Sequence, residues 1–212
     1  MKIKGAVFDM DGLMFDTENL TYKLQREILE KDGLSFSLEN YKNTVGKRTA
    51  DLPEYFEKLF GKEFSYEDFH GKCREEYRKY TEKNGVPIKE GLFELLNRLK
   101  AENIKIALCT STTRKSAERT LRIAEVLSCF DALVCAEDVK NGKPNPEPFL
   151  TAAEKLGLEP SGCMALEDSL NGIKSAKRAG MITVMVPDLI EPTDEIKAMC
   201  DYIFPSLLNV ME

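Results

Sequence analysis

With 212 residues, 42% of them hydrophobic, and a formal net charge of -6, the chain can bury a core but lacks the lysine and arginine excess that phosphate backbones demand. It has no run of ~18 apolar residues to span a membrane, and its six cysteines are scattered without a CxxC pair, which speaks against a zinc site or a disulfide framework. The expectation is a cytoplasmic globular protein without nucleic-acid or membrane partners, its thiols kept reduced and acting as small buried hydrophobes. Along the chain, an apolar run over 3–8 reads as a first strand and leads straight into Asp9-Met10-Asp11-Gly12. If both aspartates continue the strand, its two-residue period points them the same way. Like charges at that spacing repel, so the pair implies a retained proton or a bound cation.

From 18 to 84 the texture is charged and helical in period, with Leu20, Leu24 and Ile28, then Leu52, Phe56 and Leu59, then Phe69, Cys73 and Tyr77. Gly33, Gly61 and Gly85 are placed as helix stops and Ser37 and Ser65 as caps, giving a bundle of about four helices. Beyond Pro87, short apolar runs at 104–109, 132–135, 163–166 and 182–186 alternate with amphipathic stretches at 92–99, 116–124, 147–156 and 172–179. Strands apolar at nearly every position and separated by helices form a parallel sheet covered on both faces. The fold class expected is therefore α/β, a Rossmann-like parallel sheet with a helical bundle inserted after its first strand. Residues 1–15 and 87–212 would form the α/β core and 16–86 the inserted domain.

Ligands of open parallel sheets bind outside the carboxyl ends of the strands. Asp9 and Asp11 follow the first strand, Thr110-Ser111-Thr112 the second, Glu137-Asp138 the third and Glu167-Asp168 the fourth, while Lys143-Pro144 precedes the helix near Pro146. Carboxylates suit a hard divalent cation, and Mg²⁺ takes one or two of them together with waters and a substrate phosphate. A lysine and a hydroxyl near a helix N-terminus can hold the remaining phosphate oxygens. A carboxylate free of its proton can attack phosphorus while a neighbour moves the proton. The reaction class is phosphoryl transfer.

Those residues, with Asp16-Thr17-Glu18, Ser169 and Asn171-Gly172, form four ordered motifs over essentially the whole chain. The pattern resembles the haloacid dehalogenase superfamily, in particular its Mg²⁺-dependent phosphatases and phosphoglucomutases with a helical cap after the first strand. The resemblance implies Asp9 as nucleophile and metal ligand. It implies Asp11 as general acid and base, with its backbone carbonyl also on the metal. Thr110, and beside it Ser111, would bind the phosphoryl group and Lys143 would neutralise the phosphoaspartate. Asp168 would ligate Mg²⁺, with Glu167 a further ligand or an orienting residue. The second aspartate of the first motif is absent from the dehalogenases proper, so Asp11 implies phosphate chemistry.

Each signal has a plainer reading taken alone. Asp-Gly is a common turn dipeptide, Thr110 to Thr113 and Asp168 or Ser169 could simply cap helices, and Lys143 could be a solvated loop lysine. His70 and the aromatic residues of the helical segment read as surface and packing residues. Their order along the chain favours chemistry for the motif residues. In the inserted domain, Gly46-Lys47-Arg48-Thr49 is equally an interhelix turn or a substrate loop, with Lys47 and Arg48 as candidate contacts. Where β-phosphoglucomutases carry a histidine and a Ser-Arg pair, this chain has Asn19-Leu20-Thr21 and Lys47-Arg48-Thr49. A phosphatase of a sugar phosphate or nucleoside monophosphate is thus expected ahead of a mutase, and a non-catalytic regulator comes last. The partner is a small phosphorylated metabolite, and a monomer is the default assembly.

Overall fold

The computed structural model describes residues 3–45 and 49–210. It contains a six-stranded parallel sheet built from β1 (Gly5–Phe8), β2 (Lys105–Cys109), β3 (Ala132–Val134), β4 (Cys163–Glu167), β5 (Ile182–Met185) and β6 (Tyr202–Ile203). Its order is β3-β2-β1-β4-β5-β6. β1 sits centrally, with Phe8 opposite Leu108 on one side and Leu166 on the other. The chain passes from β1 outward to β2 and β3, then returns to the far side of β1 for β4. The carboxyl ends of β1 and β4 therefore flank the point where strand order reverses, which is where such sheets open a crevice.

The two-residue period of the strands sorts the core into two layers. Ala6, Phe8, Ile106, Leu108, Met164 and Leu166 pack with helices α5 (Leu92–Ala101) and α6 (Arg114–Ile123) through Leu92, Leu96, Leu99, Ala117 and Leu121. Val7, Ala107, Cys109, Ala165 and Val134 face the other way. They pack with α7 (Glu147–Leu156) and α8 (Leu170–Arg178) through Phe149, Ala152, Ala153 and Ala176. Both faces are thus covered, which is why these strands lack the polar alternation of a half-exposed sheet. The sequence reading missed β6 and α9 (Asp194–Met199). A two-residue strand with both residues exposed and a six-residue helix are too short to show a period.

The chain divides into two compact units, Met1–Asp16 with Val86–Glu212, and Thr17–Gly85. Asp16 and Val86 belong to the larger unit because the connecting segments pair with each other: Phe15 bridges Ile88, and the Asp16 N–H donates to the Pro87 carbonyl at 2.9 Å. The smaller unit holds α1 (Thr17–Lys31), α2 (Leu38–Lys42), α3 (Leu52–Phe60) and α4 (Tyr66–Asn84). Ser37 caps α2 in a reciprocal box with Asn40, Ser65 accepts from the Asp68 N–H, and Gly61 and Gly85 end α3 and α4. An aromatic core centred on buried Phe56 joins them, with the rings of Phe36, Phe64, Tyr66 and Phe69 within 5.8 Å of it.

Candidate active site

The strand β1 ends at Phe8, and the Asp9 N–H still donates to the Leu166 carbonyl at 3.0 Å. Beyond Asp9 the chain leaves the sheet through a turn in which Gly12 takes φ +85. Strand period therefore does not govern Asp11, and the expectation that the two carboxylates point together gives way to a division. Asp9 turns to Lys143, whereas Asp11 accepts a hydrogen bond from the Thr112 hydroxyl at 2.9 Å.

Lys143 lies far from Asp9 in sequence yet reaches it at 2.5 Å. Its ammonium donates to Asp9 Oδ1, to Glu167 Oε1 at 2.5 Å and to the Cys109 carbonyl at 2.9 Å. All three of its protons are thereby used. Glu167 is fully buried. Its Oε1 takes Lys143, and its Oε2 takes the N–H groups of Asp168 and Ser169 and the Ser169 hydroxyl. A carboxylate offers about four acceptor sites, so this one is saturated by the protein. By contrast, Asp9 Oδ2 and the Asp168 carboxylate accept no hydrogen bond within the described residues. The acid groups of Asp9, Glu167 and Asp168 lie within 4.8 Å of one another; Asp11's carboxylate is not in that set.

The electrostatics follow from this crowding. With 13% of its side chain exposed, Asp9 is pushed by burial to about 7; Lys143 pulls it down, and Glu167 and Asp11 push it up. Burial, then the charges of Glu167, Asp9 and Asp188, raise Asp168 well above the usual carboxylate range. Burial works against the charge on Lys143, but Asp9 and Glu167 outweigh it and hold the ammonium protonated. One lysine does not balance three converging carboxylates, and a donor set made only of carboxylate oxygens matches Mg²⁺. The residues present thus fit a divalent cation.

Two glycines make the packing possible. A Cβ on Gly172, in the first turn of α8, would overlap the Glu167 carboxylate, and one on Gly12 would overlap that of Asp168. Ser169, not Asp168, caps α8, accepting from the Gly172 N–H at 3.1 Å. This frees the Asp168 side chain. No hydroxyl of Thr110 to Thr113 caps α6; its first N–H, that of Arg114, is met by Glu137 at 3.0 Å. Thr110 is buried and its hydroxyl accepts from the Thr112 N–H at 3.0 Å, whereas Ser111 is exposed. Asp138 braces the end of β3, taking the Cys135 N–H at 2.8 Å and Arg114 at 2.5 Å. Lys47 and Arg48 lie outside the described residues.

The sequence names Ser169 as a candidate cap, but it does not mark the bonds of Thr112 to Asp11 or of the Cys109 carbonyl to Lys143, nor the presence of Asp188 at the site. Asp188 could have been found by carrying the strand-end inventory to the fifth strand, where Pro187-Asp188 follows Val186. No sequence pattern marks a backbone carbonyl as a lysine partner.

A parallel sheet with a lysine-bridged carboxylate cluster at its reversal point defines a class. Residues 6–186 match the haloacid dehalogenase-like hydrolases, and the chain belongs to that family. It is an enzyme of the phosphoric monoester hydrolase class. Among its relatives, protein YhcW of Bacillus subtilis (strain 168) is 36% identical over 192 residues, covering 90% of this chain and 86% of that one. A phosphorylated carbohydrates phosphatase of Thermotoga maritima is 34% identical over 180 residues, covering 84% and 82%. The crystal structure of a β-phosphoglucomutase from Clostridium difficile superimposes with a TM-score of 0.72 at 26% identity, covering 98% of this chain and 93% of that one. Among the described residues no helix is long and apolar enough to cross a membrane.

Proposed function

We propose that the protein is a Mg²⁺-dependent phosphatase of small phosphorylated metabolites that works through an aspartyl phosphate on Asp9. The observation that carries this reading is the Lys143 ammonium held between Asp9 and Glu167, with the Asp168 carboxylate within 4.8 Å of theirs. Asp9 and Asp168 would hold the cation, which when bound withdraws charge from the phosphoryl oxygens and sets the phosphate in line with the nucleophile. Glu167, its acceptor sites already filled, acts by fixing Lys143. Asp9 attacks phosphorus as the ester P–O bond breaks, and the leaving oxygen takes a proton from Asp11, which Thr112 orients. Water then attacks the phosphoaspartate and returns a proton to Asp11, releasing inorganic phosphate and restoring Asp9. Thr110 and Ser111 are proposed contacts of the transferred group, with Lys143 offsetting its charge. The phosphorylated-carbohydrate name of the Thermotoga relative supports a sugar phosphate as substrate.

Asp9→Asn preserves the shape of the side chain but removes the nucleophile. Its turnover of an aryl phosphate with Mg²⁺ should fall at least ~1,000-fold with the melting temperature retained; near wild-type turnover would refute the mechanism. A mutase is the second reading, supported by the β-phosphoglucomutase likeness. Incubation with β-glucose 1-phosphate and a bisphosphate activator separates the two, because the phosphatase releases inorganic phosphate and forms no glucose 6-phosphate.

A further inference from the structure

Asp188 lies just beyond β5 with only 5% of its side chain exposed. Its Oδ1 takes the Lys89 ammonium at 2.7 Å, while its Oδ2 is buried with no hydrogen-bond partner among the described residues. That oxygen lies 3.2 Å from the position a Gly12 Cβ would occupy, the same position that the Asp168 carboxylate blocks. The two carboxylates thus border one space, which exists only because residue 12 has no side chain. Lys89 is fixed in turn, its N–H donating to the Met14 carbonyl at 3.0 Å. The ion pair therefore ties the turn that carries Asp11 to the end of β5.

A buried acceptor left unpaired costs about 1–3 kcal/mol, and a second carboxylate beside Asp168 adds repulsion. Both penalties are relieved by a cation with bound water, since Mg²⁺ keeps part of its hydration shell and those waters need acceptors. We propose that Asp188, held by Lys89, is a positioning residue of the cation site, which orients Asp168 and accepts from the hydration shell of the ion. This rests on the metal-dependent reading above and extends it to a carboxylate outside the four motifs.

The test is calorimetric titration of the full chain with MgCl₂ alone, without substrate. Asp188→Asn keeps an acceptor for Lys89 but can turn an N–H toward Asp168, and its Mg²⁺ dissociation constant should rise about tenfold or more. The double variant Lys89→Met/Asp188→Leu removes both partners, leaves no orphan charge, and should show the same loss. Melting in EDTA identifies whichever variant is folded. Raising Mg²⁺ about tenfold should restore aryl phosphate turnover in that variant, a recovery that general misfolding would not give. A wild-type dissociation constant in a folded variant overturns the role of Asp188 while leaving the phosphatase intact. If the wild-type chain itself takes up no Mg²⁺, the metal-dependent reading falls with it.

Discussion

Lys143 and Glu167 hold each other with their bonding capacity fully used. Lys143 spends its three protons on Asp9, Glu167 and the Cys109 carbonyl, so its position depends on Glu167, and that of Glu167 depends on Gly172. Gly172→Ala tests the chain of dependence. Within a helix this change ordinarily stabilises by ~1 kcal/mol, but here the new methyl group would enter the Glu167 carboxylate, an overpacking that costs ~1–3 kcal/mol. The variant should show lower stability in urea and a fall in kcat of about tenfold or more; greater stability with unchanged kcat would refute the coupling. Asp138 acts at the same scale without touching the chemistry. Burial raises its carboxyl, but the Cys135 N–H, Lys155 and Arg114 outweigh that and hold it below the usual range. A depressed carboxyl contributes stability above its unfolded value near 3.8 and loses it as pH falls through the folded value. Asp138→Asn should therefore be less stable at pH 7, with the gap to wild type closing as pH falls below the unfolded value near 3.8 and through the lowered folded one. Equilibrium unfolding across that range checks it.

At the level of elements, helix starts and strand ends place the site. The Ser169 cap on α8 leaves the Asp168 carboxylate free, and Glu167, the last residue of β4, is buried where the strand meets the helix. The sequence reading of 163–166 and 172–179 was close because both elements carry strong local signals: unbroken apolar residues in the strand and a 3.6-residue period in the helix. Which residue caps α8 was left open between Asp168 and Ser169. An Asp168 cap would accept from the Asn171 N–H and a Ser169 cap from the Gly172 N–H, and the structure has the second.

Across the molecule, the units of 17–85 and of the sheet each have their own apolar core. In the smaller unit that core is aromatic and centred on Phe56, which is almost completely buried. Phe56→Ala should cost ~3–5 kcal/mol, borne by the helices of that unit. Native-state hydrogen exchange should show α1, α3 and α4 losing protection while β1, β2 and β4 keep theirs. Equal loss in both units would mean that the two cores unfold as one.

Parallel strands, the flanking helices and the carboxylates at the strand ends were determined by the sequence alone, because periodicity, capping and strand-end position are encoded within a few neighbouring residues. That is how Asp9, Lys143, Glu167 and Asp168, distant along the chain, could be assigned to one sheet edge. The tertiary structure decided which oxygen meets which proton. It turned Asp11 away to Thr112, filled Glu167 with protein donors, left the Asp168 carboxylate open among the described residues and brought Asp188 beside the Gly12 position that Asp168 also borders. Those outcomes depend on burial and on competition among several acceptors for one ammonium, interactions between distant segments, as between Lys143 and Asp9 134 residues apart, that no local pattern carries.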